Sequence, residues 1–287
     1  MASFQMKNMS WYPGHMKKAL DEIKKSLKIV DLVIEIGDSR APESSLNSML
    51  DSITQGKKKI ILFSKKDLSD QVKVNKWIEI YKGRGIDCFS LDFKDPAQIK
   101  NVLKYLTSIK STKALKYERY NMAVPPLRAL VVGIPNVGKS TLINSLVGKK
   151  KAQVANKPGL TRTQQLVKLG DKLELFDTPG VLQPNYEDKK AVMHLAWLGS
   201  IADQAIPIEQ VYSTLAEFML SDYLDSLYEH YQIDRSVVLS KENIFKTIGQ
   251  ARHFILPQGE VDISRAKIAF LKEFRGGQIV RCVVDDV

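Results

Sequence analysis

Residues 133–141 read Gly-Ile-Pro-Asn-Val-Gly-Lys-Ser-Thr, which contains the pattern Gly133-x4-Gly138-Lys139-Ser140. These residue types at this spacing suit a chain of phosphates. Gly133 and Gly138 let the backbone curl, so that the amides of Asn136, Val137 and Gly138 can converge on an anion. The helix that should start there offers its positive end, with the amides of Lys139, Ser140 and Thr141, to the same anion. Lys139 adds a point charge for β- and γ-phosphates, and the Ser140 hydroxyl is placed to ligate Mg²⁺. The pattern carries meaning only between a strand and a helix. Leu130 to Val132 is an apolar, β-branched run before it, and Leu142, Ile143 and Leu146 recur at helical spacing after it. The context predicts a nucleoside triphosphate site.

Two further clusters suggest which nucleotide. Ser64-Lys65-Lys66-Asp67 follows the apolar run Ile60–Phe63. A carboxylate at a strand end can accept from both N1–H and N2–H of guanine, a pairing adenine cannot make. The aliphatic stem of Lys65 can cover the base plane. Asp177-Thr-Pro-Gly180 ends a later strand, where Asp177 is expected to support Mg²⁺ and the Gly180 amide to sense the γ-phosphate. Thr161, in the irregular stretch between, is the expected second hydroxyl for Mg²⁺. Position 181, just after this motif, is where many switch GTPases carry a glutamine that orients water; here it is Val181, which has no donor or acceptor. Water must then be oriented from elsewhere, and His15 in Trp11-Tyr-Pro-Gly-His15-Met is one candidate. The alternative for His15 is a turn and helix start.

These residues need a scaffold. Short buried strands at Leu32–Ile36, Ile60–Phe63, Gly85–Leu91, Leu130–Val132, 165–169 and 173–176 alternate with helical stretches near 14–28, 43–54, 71–82 and 96–109. That alternation predicts crossover units and a mostly parallel, six-stranded sheet with helices on both faces. Residues 110–127 are polar and basic, hold Pro125 and Pro126, and read as a connector. Beyond residue 190 strand signals vanish. An amphipathic helix over 208–227 and two more over 242–255 and 261–274 predict a small all-α C-terminal domain, giving domains at 1–185 and 190–287.

At 287 residues, 44% hydrophobic and 26% charged, the composition is that of a soluble globular protein. No apolar run is long enough to span a membrane, and the first residues lack the pattern of a signal peptide. Cys88 and Cys282 stand apart in no metal-like spacing, as expected of a chain in a reducing cytoplasm. The net charge of +11 is uneven: residues 191–287 carry 9 Lys/Arg and 13 Asp/Glu, so residues 1–190 hold a net +15. The first two thirds would supply any pull on a polyanion.

The base-reading cluster precedes the phosphate loop, the reverse of the usual order. Cutting a doubly wound domain at one surface loop and joining its old termini produces this order, with the join at 110–127. The chain resembles the circularly permuted GTPases, and among them the ribosome biogenesis GTPase A family (YlqF, with mitochondrial Mtg1 relatives). The matching segments are Trp11–Met16, Asp38-Ser-Arg-Ala-Pro42, Gly133–Thr141, Pro158-Gly-Leu-Thr161, Gln164-Gln165 and Asp177–Gly180. The resemblance implies a GTPase of low intrinsic rate that assembles the large ribosomal subunit, binds rRNA or the pre-ribosomal particle as a monomer with GTP bound, and touches no membrane. It implies a K⁺ near Asn136, against a loop-stabilising hydrogen bond for that side chain, and a catalytic role for His15. The family's base motif begins with Asn where this chain has Ser64. Its second base loop falls at Asp92-Phe93, where the Phe93 amide can reach guanine O6. A signalling GTPase that recruits proteins through the acidic tail is the alternative.

Overall fold

The structure, a computed structural model, describes residues 14–54, 56–148, 154–155, 166–182 and 188–287; the side chains of residues 14–16, 112 and 154–155 are outside that description. In chain order the first half contains α1 (Gly14–Leu27), β1 (Leu32–Asp38), α2 (Ser48–Ile53), β2 (Lys58–Ser64), α3 (Gln71–Gly83), β3 (Asp87–Ser90), α4 (Pro96–Ser108) and α5 (Thr112–Arg119). Then follow β4 (Leu127–Gly133), α6 (Lys139–Val147), β5 (Val154–Ala155), β6 (Leu166–Leu169) and β7 (Leu173–Asp177).

The strands form one sheet in the order β3-β2-β1-β4-β7-β6-β5. The six predicted strands are present, and the two-residue β5 adds a seventh at the edge. Pairing is parallel from β3 to β7, and antiparallel through β6 and β5. β1 to β3 come from before the connector and β4 onward from after it, with β1 against β4 at the seam. The connector is not wholly irregular. Ser111 caps α5 within it, its side chain accepting from Ala114 N.

Alternation along the strands shows why both faces must be covered. Leu32, Ile34, Ile36, Ile60, Leu62, Ala129 and Val131 point into one core, shared with α4 and α6. Val33, Leu130 and Val132 point the other way, onto Ala19, Ile23 and Leu27 of α1, while Ile61 and Phe63 meet Val74, Trp77 and Tyr81 of α3.

The remainder is helical: α7 (Lys189–Trp197), α8 (Ile208–Asp222), α9 (Leu224–Tyr231), α10 (Ile244–Ala251) and α11 (Ile263–Arg275). The single helix expected over 208–227 is two, broken at Tyr223, whose φ of −138° and ψ of 34° leave the helical region. The core of these helices runs without interruption into the α4/α6 face of the sheet. The last residues return to the sheet domain. Val283 joins Phe63, Trp77 and Cys88, and Val284 N donates to Arg40 O at 2.7 Å. Asp285 accepts from the amides of Glu43 and Ser44 at 2.7 and 2.9 Å. Among the described residues no helix is long and apolar enough to cross a membrane.

Candidate functional site

The C-terminal ends of β4, β7, β2 and β1 converge on one edge of the sheet, where an open doubly wound fold binds its ligands. The phosphate half comes from the turn between β4 and α6. Gly133 has φ +148°, and a Cβ there would lie 2.5 Å from Ile36 O; Gly138 has φ +101°. Only glycine fits these two positions. Lys139 is buried with its Nζ turned back on the loop, donating to Gly133 O at 3.0 Å and Ile134 O at 2.7 Å. Burial pushes its ammonium down to about 8, a shift that Asp177 partly opposes. Gly180 lies so close that a Cβ would sit 2.8 Å from Pro135 and 3.0 Å from Lys139 Nζ. A cavity of about 750 Å³ opens here, lined by Asn136, Lys139, Ser140, Thr141, Asp177 and Gly180 among others.

The donor set fits magnesium. Asp177 Oδ1 is buried and has no hydrogen-bond partner, and burial raises the Asp177 carboxyl, with Lys139 opposing. Ser140 is exposed to the cavity beside it. No cluster of three His, Cys, Asp or Glu exists among the described residues, so one carboxylate and a hydroxyl would share the ion with phosphate oxygens, as Mg²⁺ commonly requires.

The candidate base half is made of side chains. Asp67, in a short 3₁₀ turn after β2, lines a second cavity of about 210 Å³ with Arg40, Ser64, Lys65, Asp92 and Phe93. Gly138 and Thr141 line this cavity too, so the base and phosphate cavities meet at the phosphate loop. Lys65, at φ 58°, donates to Asp38 Oδ2 at 2.8 Å, which pins its stem at the cavity wall. Arg40 grips the same carboxylate in bidentate fashion, Nε to Oδ1 at 3.0 Å and Nη2 to Oδ2 at 2.9 Å. Burial alone would raise Asp38, but the Arg40 and Lys65 cations hold it well below the usual carboxylate range.

Ser64 lines the cavity, but its hydroxyl serves the phosphate loop, reaching Val137 O at 2.5 Å and Gly37 O at 3.0 Å. Lys66 is outside both cavity linings, its amide on Leu91 O at 3.3 Å. The Phe93 ring would stand 3.4 Å from a Cβ on Gly138, and Phe93 O accepts from Ser145 Oγ at 2.7 Å. Asn136 donates its amide to Gly199 O at 2.8 Å. Val181 is buried in the α1 core, its carbonyl held by Asn47 Nδ2 at 3.0 Å. Thr161 lies outside the described residues, as do Trp11–Pro13 and Gln164-Gln165; His15 is in the first turn of α1, its side chain outside the description.

Sequence reasoning missed the contribution of the helical region. Leu198 and Arg275 complete the wall of the base cavity. Arg275 binds Trp197 O at 3.1 Å, Ala196 O at 2.8 Å and Asp203 at 2.6 Å, and its own carbonyl accepts from Arg40 Nη1 at 2.7 Å. Ser44, His194 and Asp285 form a buried knot below: Ser44 Oγ donates to Asp285 Oδ1 at 2.5 Å, and His194 Nδ1 is 2.8 Å from the same oxygen. Nothing in local pattern or spacing marks these partners, which lie up to 241 residues apart.

Ribosome biogenesis GTPase A of Priestia megaterium is 35% identical to this chain over 279 residues, 97% of this chain and 96% of its own length. The chain belongs to the ribosome biogenesis GTPase A family. The protein of that name from Thermotoga maritima is 30% identical over 95% of this chain and 92% of the relative. A family model described as a 50S ribosome-binding GTPase matches residues 128–241. Among solved structures, GDP-bound YlqF matches with a TM-score of 0.65 at 26% identity, covering 92% of this chain and 98% of that one. GNP-bound YlqF from T. maritima matches at 0.63 and 26%, covering 94% and 100%. The fold is thus the circularly permuted G domain of that family, and the chain is a GTPase, with guanine nucleotide as substrate and Mg²⁺ as its customary ion.

Proposed function

We propose that the chain binds GTP across the joined cavities, hydrolyses it to GDP and phosphate, and acts as an assembly factor for the large (50S) ribosomal subunit. In this reading it engages the rRNA of the precursor particle as a monomer in the cytoplasm while GTP is bound and leaves after hydrolysis. One observation carries the nucleotide assignment: Asp67 and Lys139 line cavities that share Gly138 and Thr141. The relatives' names and the net +15 on residues 1–190 support the ribosomal partner.

Lys139 would leave the carbonyls of Gly133 and Ile134 for the β- and γ-phosphates, and an arriving phosphate would favour its charged form, opposing the effect of burial. Ser140 and Asp177, with Thr161, would hold Mg²⁺, which supplies neutralisation of charge on the transferring phosphoryl group. The Gly180 amide is placed to follow the γ-phosphate. Valine at 181 cannot orient water, so catalysis is completed either by His15, orienting or deprotonating the water, or by a K⁺ held at Asn136 as a positive finger; the Asn136 amide nitrogen itself donates to Gly199 O. Turnover is then slow alone and rises on the particle.

Competition between GTP and ATP, followed by co-sedimentation with 50S particles in a non-hydrolysable GTP analogue, tests this. ATP should fail to displace GTP at 100-fold excess, and particles should retain the chain only with the analogue. Equal uptake of ATP would end the guanine assignment; no particle association would end the assembly role. His15→Ala should keep GTP binding and lose turnover on the particle, and unchanged turnover would remove His15 from the mechanism.

A further inference from the structure

We propose that the connector helix α5, together with the lysine-edged groove beside it, is an RNA-docking surface in which Tyr117 and Tyr120 stack unpaired bases. It rests on the ribosomal reading above for the source of the RNA, while its chemistry stands on the observations that follow.

The first observation is exposure. Residues 115–124 are exposed without a break, among them Leu115 (54%), Tyr120 (71%) and Met122 (56%). Of the described side chains in α5 only Ala114 is buried. Eight residues make a marginal helix in water, and most helices in proteins survive by burying an apolar face. This one presents that face to solvent. Local ties hold it instead: the Ser111 cap, a Lys110–Glu118 pair at 2.8 Å and a Lys113–Asp31 pair at 3.5 Å. An apolar, aromatic surface kept ordered and uncovered marks a site for a partner.

The second is charge. From residue 100 to 128 the chain carries seven Lys or Arg and one acidic residue, Glu118. Glu118 is spent on Lys110. Lys100, Lys104, Lys116 and Arg119 have no ion-pair partner among the described residues. A groove of about 800 Å³ runs between α4 and the β6–β7 turn, edged by Lys100, Lys104 and Lys172. It continues at Thr107 into a cavity of about 480 Å³ that reaches Lys110 and Ser111 at the start of α5. Asp171 is the carboxylate common to both linings; three lysines outnumber it in the groove, and in the cavity Asp171 and Glu118 are matched by Lys110 and Lys172.

Together these choose the partner. A lysine-edged groove tracks a phosphate backbone, and tyrosines interleaved with Lys116 and Arg119 offer faces to bases that are splayed from a helix. Ser and Thr hydroxyls along the groove suit sugar and phosphate oxygens. A lipid surface would ask for a helix with Trp, Phe or Leu along one whole face, and α5 offers a single leucine, Leu115. The surface is also at the far end of the sheet from the nucleotide: Leu127 and Lys172 lie at the entry to β4 and β7, whose exits carry Gly133 and Asp177. Changes there can therefore be read apart from GTP binding.

The test uses the full chain and two variants, Tyr117→Ala/Tyr120→Ala and Lys104→Glu/Lys172→Glu, against a labelled 20-nucleotide single-stranded RNA, its duplex and 50S particles. The tyrosine variant should lose about tenfold in affinity per ring for the single strand, keep the salt slope, and change duplex binding little. The lysine variant should flatten the salt slope by roughly 1.4 for its two removed cations, plus the repulsion of the new carboxylates. GTP affinity, basal hydrolysis and the thermal midpoint should match the parent in both. Parental RNA affinity and slope in both variants would overturn the proposal. Loss of particle binding with RNA affinity intact would also overturn it and assign the face to a ribosomal protein. Tyrosine-dependent RNA binding by a chain that ignores 50S particles would sink the ribosomal reading and leave this surface standing.

Discussion

The two halves of the proposed nucleotide site are built by different means. The phosphate half is backbone: two glycines at positive φ, a lysine turned onto loop carbonyls, and Gly180 pressed against Pro135. Its parts lie within nine consecutive residues plus one motif at the end of β7. The base half is a web of side chains gathered from β1, β2, the loop after β3 and the helical region, with the buried Arg40–Asp38 pair and the half-buried Lys65 at its centre. Phosphate looks alike on every nucleotide and is met by amides, which every residue possesses. A purine must be told apart from another purine, and that requires particular functional groups from several places.

The sharpest way to break this comparison is Asp67→Ala. Two charge-assisted hydrogen bonds would go, each worth about 1.5–3 kcal/mol, so the preference for GTP over ATP should fall by roughly a thousandfold while affinity for triphosphate alone persists; competition binding reads it. Lys139→Ala attacks the other half. Loss of a preorganised cation on the phosphates should weaken GTP about 100-fold or more without changing the GTP-to-ATP ratio, measurable by calorimetry. If Asp67→Ala weakened ATP as much as GTP, or Lys139→Ala changed the GTP-to-ATP ratio, the halves would not be separable.

Three smaller effects sharpen it. Arg275→Ala removes the tie that holds the end of α7 against the base cavity, and because the side chain is about a quarter exposed the loss of stability should be only about 1–3 kcal/mol, seen by denaturant unfolding. The Lys139 ammonium, lowered by burial to about 8, sets a pH dependence. Above that value the free chain has lost the proton that the phosphate-bound state retains, so binding takes up a proton and GTP affinity should fall between pH 8 and 9 by up to about tenfold per unit. For stability the sign is opposite. A lysine whose folded value is depressed below the unfolded 10.5 costs stability below about 8, and that cost is relieved as pH rises towards 10.5. Ser64→Ala should be mildest: losing a hydroxyl that supports Val137 O costs about 1 kcal/mol, a few-fold in GTP affinity, with base preference retained.

This contrast also explains what was legible beforehand. The six strands, their alternation and the phosphate loop could be read because periodicity and glycine spacing are local signals. Asp67 was expected from the chemistry of a carboxylate at a strand end, and it lines the second cavity. Ser64 could not be read: it stands where a base-reading residue is expected, yet its short hydroxyl reaches the loop carbonyl of Val137. Leu198 and Arg275 gave no signal, because they meet the base cavity only through the packing of α7 and α11 on α8. The connector was expected to be a plain linker on its polarity, and α5 forms there through a serine cap that composition conceals. The break at Tyr223 was hidden for the opposite reason, since the apolar spacing of α8 and α9 runs on in phase across it.

Asp285 gives the helical region a second point of attachment. α7 leaves the sheet domain at one end, and the tail comes home at the other, latched to Glu43, Ser44 and His194. With one core shared across the α4/α6 face and this latch beyond it, the helices are braced on the sheet domain at two separate places, which keeps Leu198 and Arg275 at the wall of the second cavity. Replacing Asp285 with alanine would unhook that attachment.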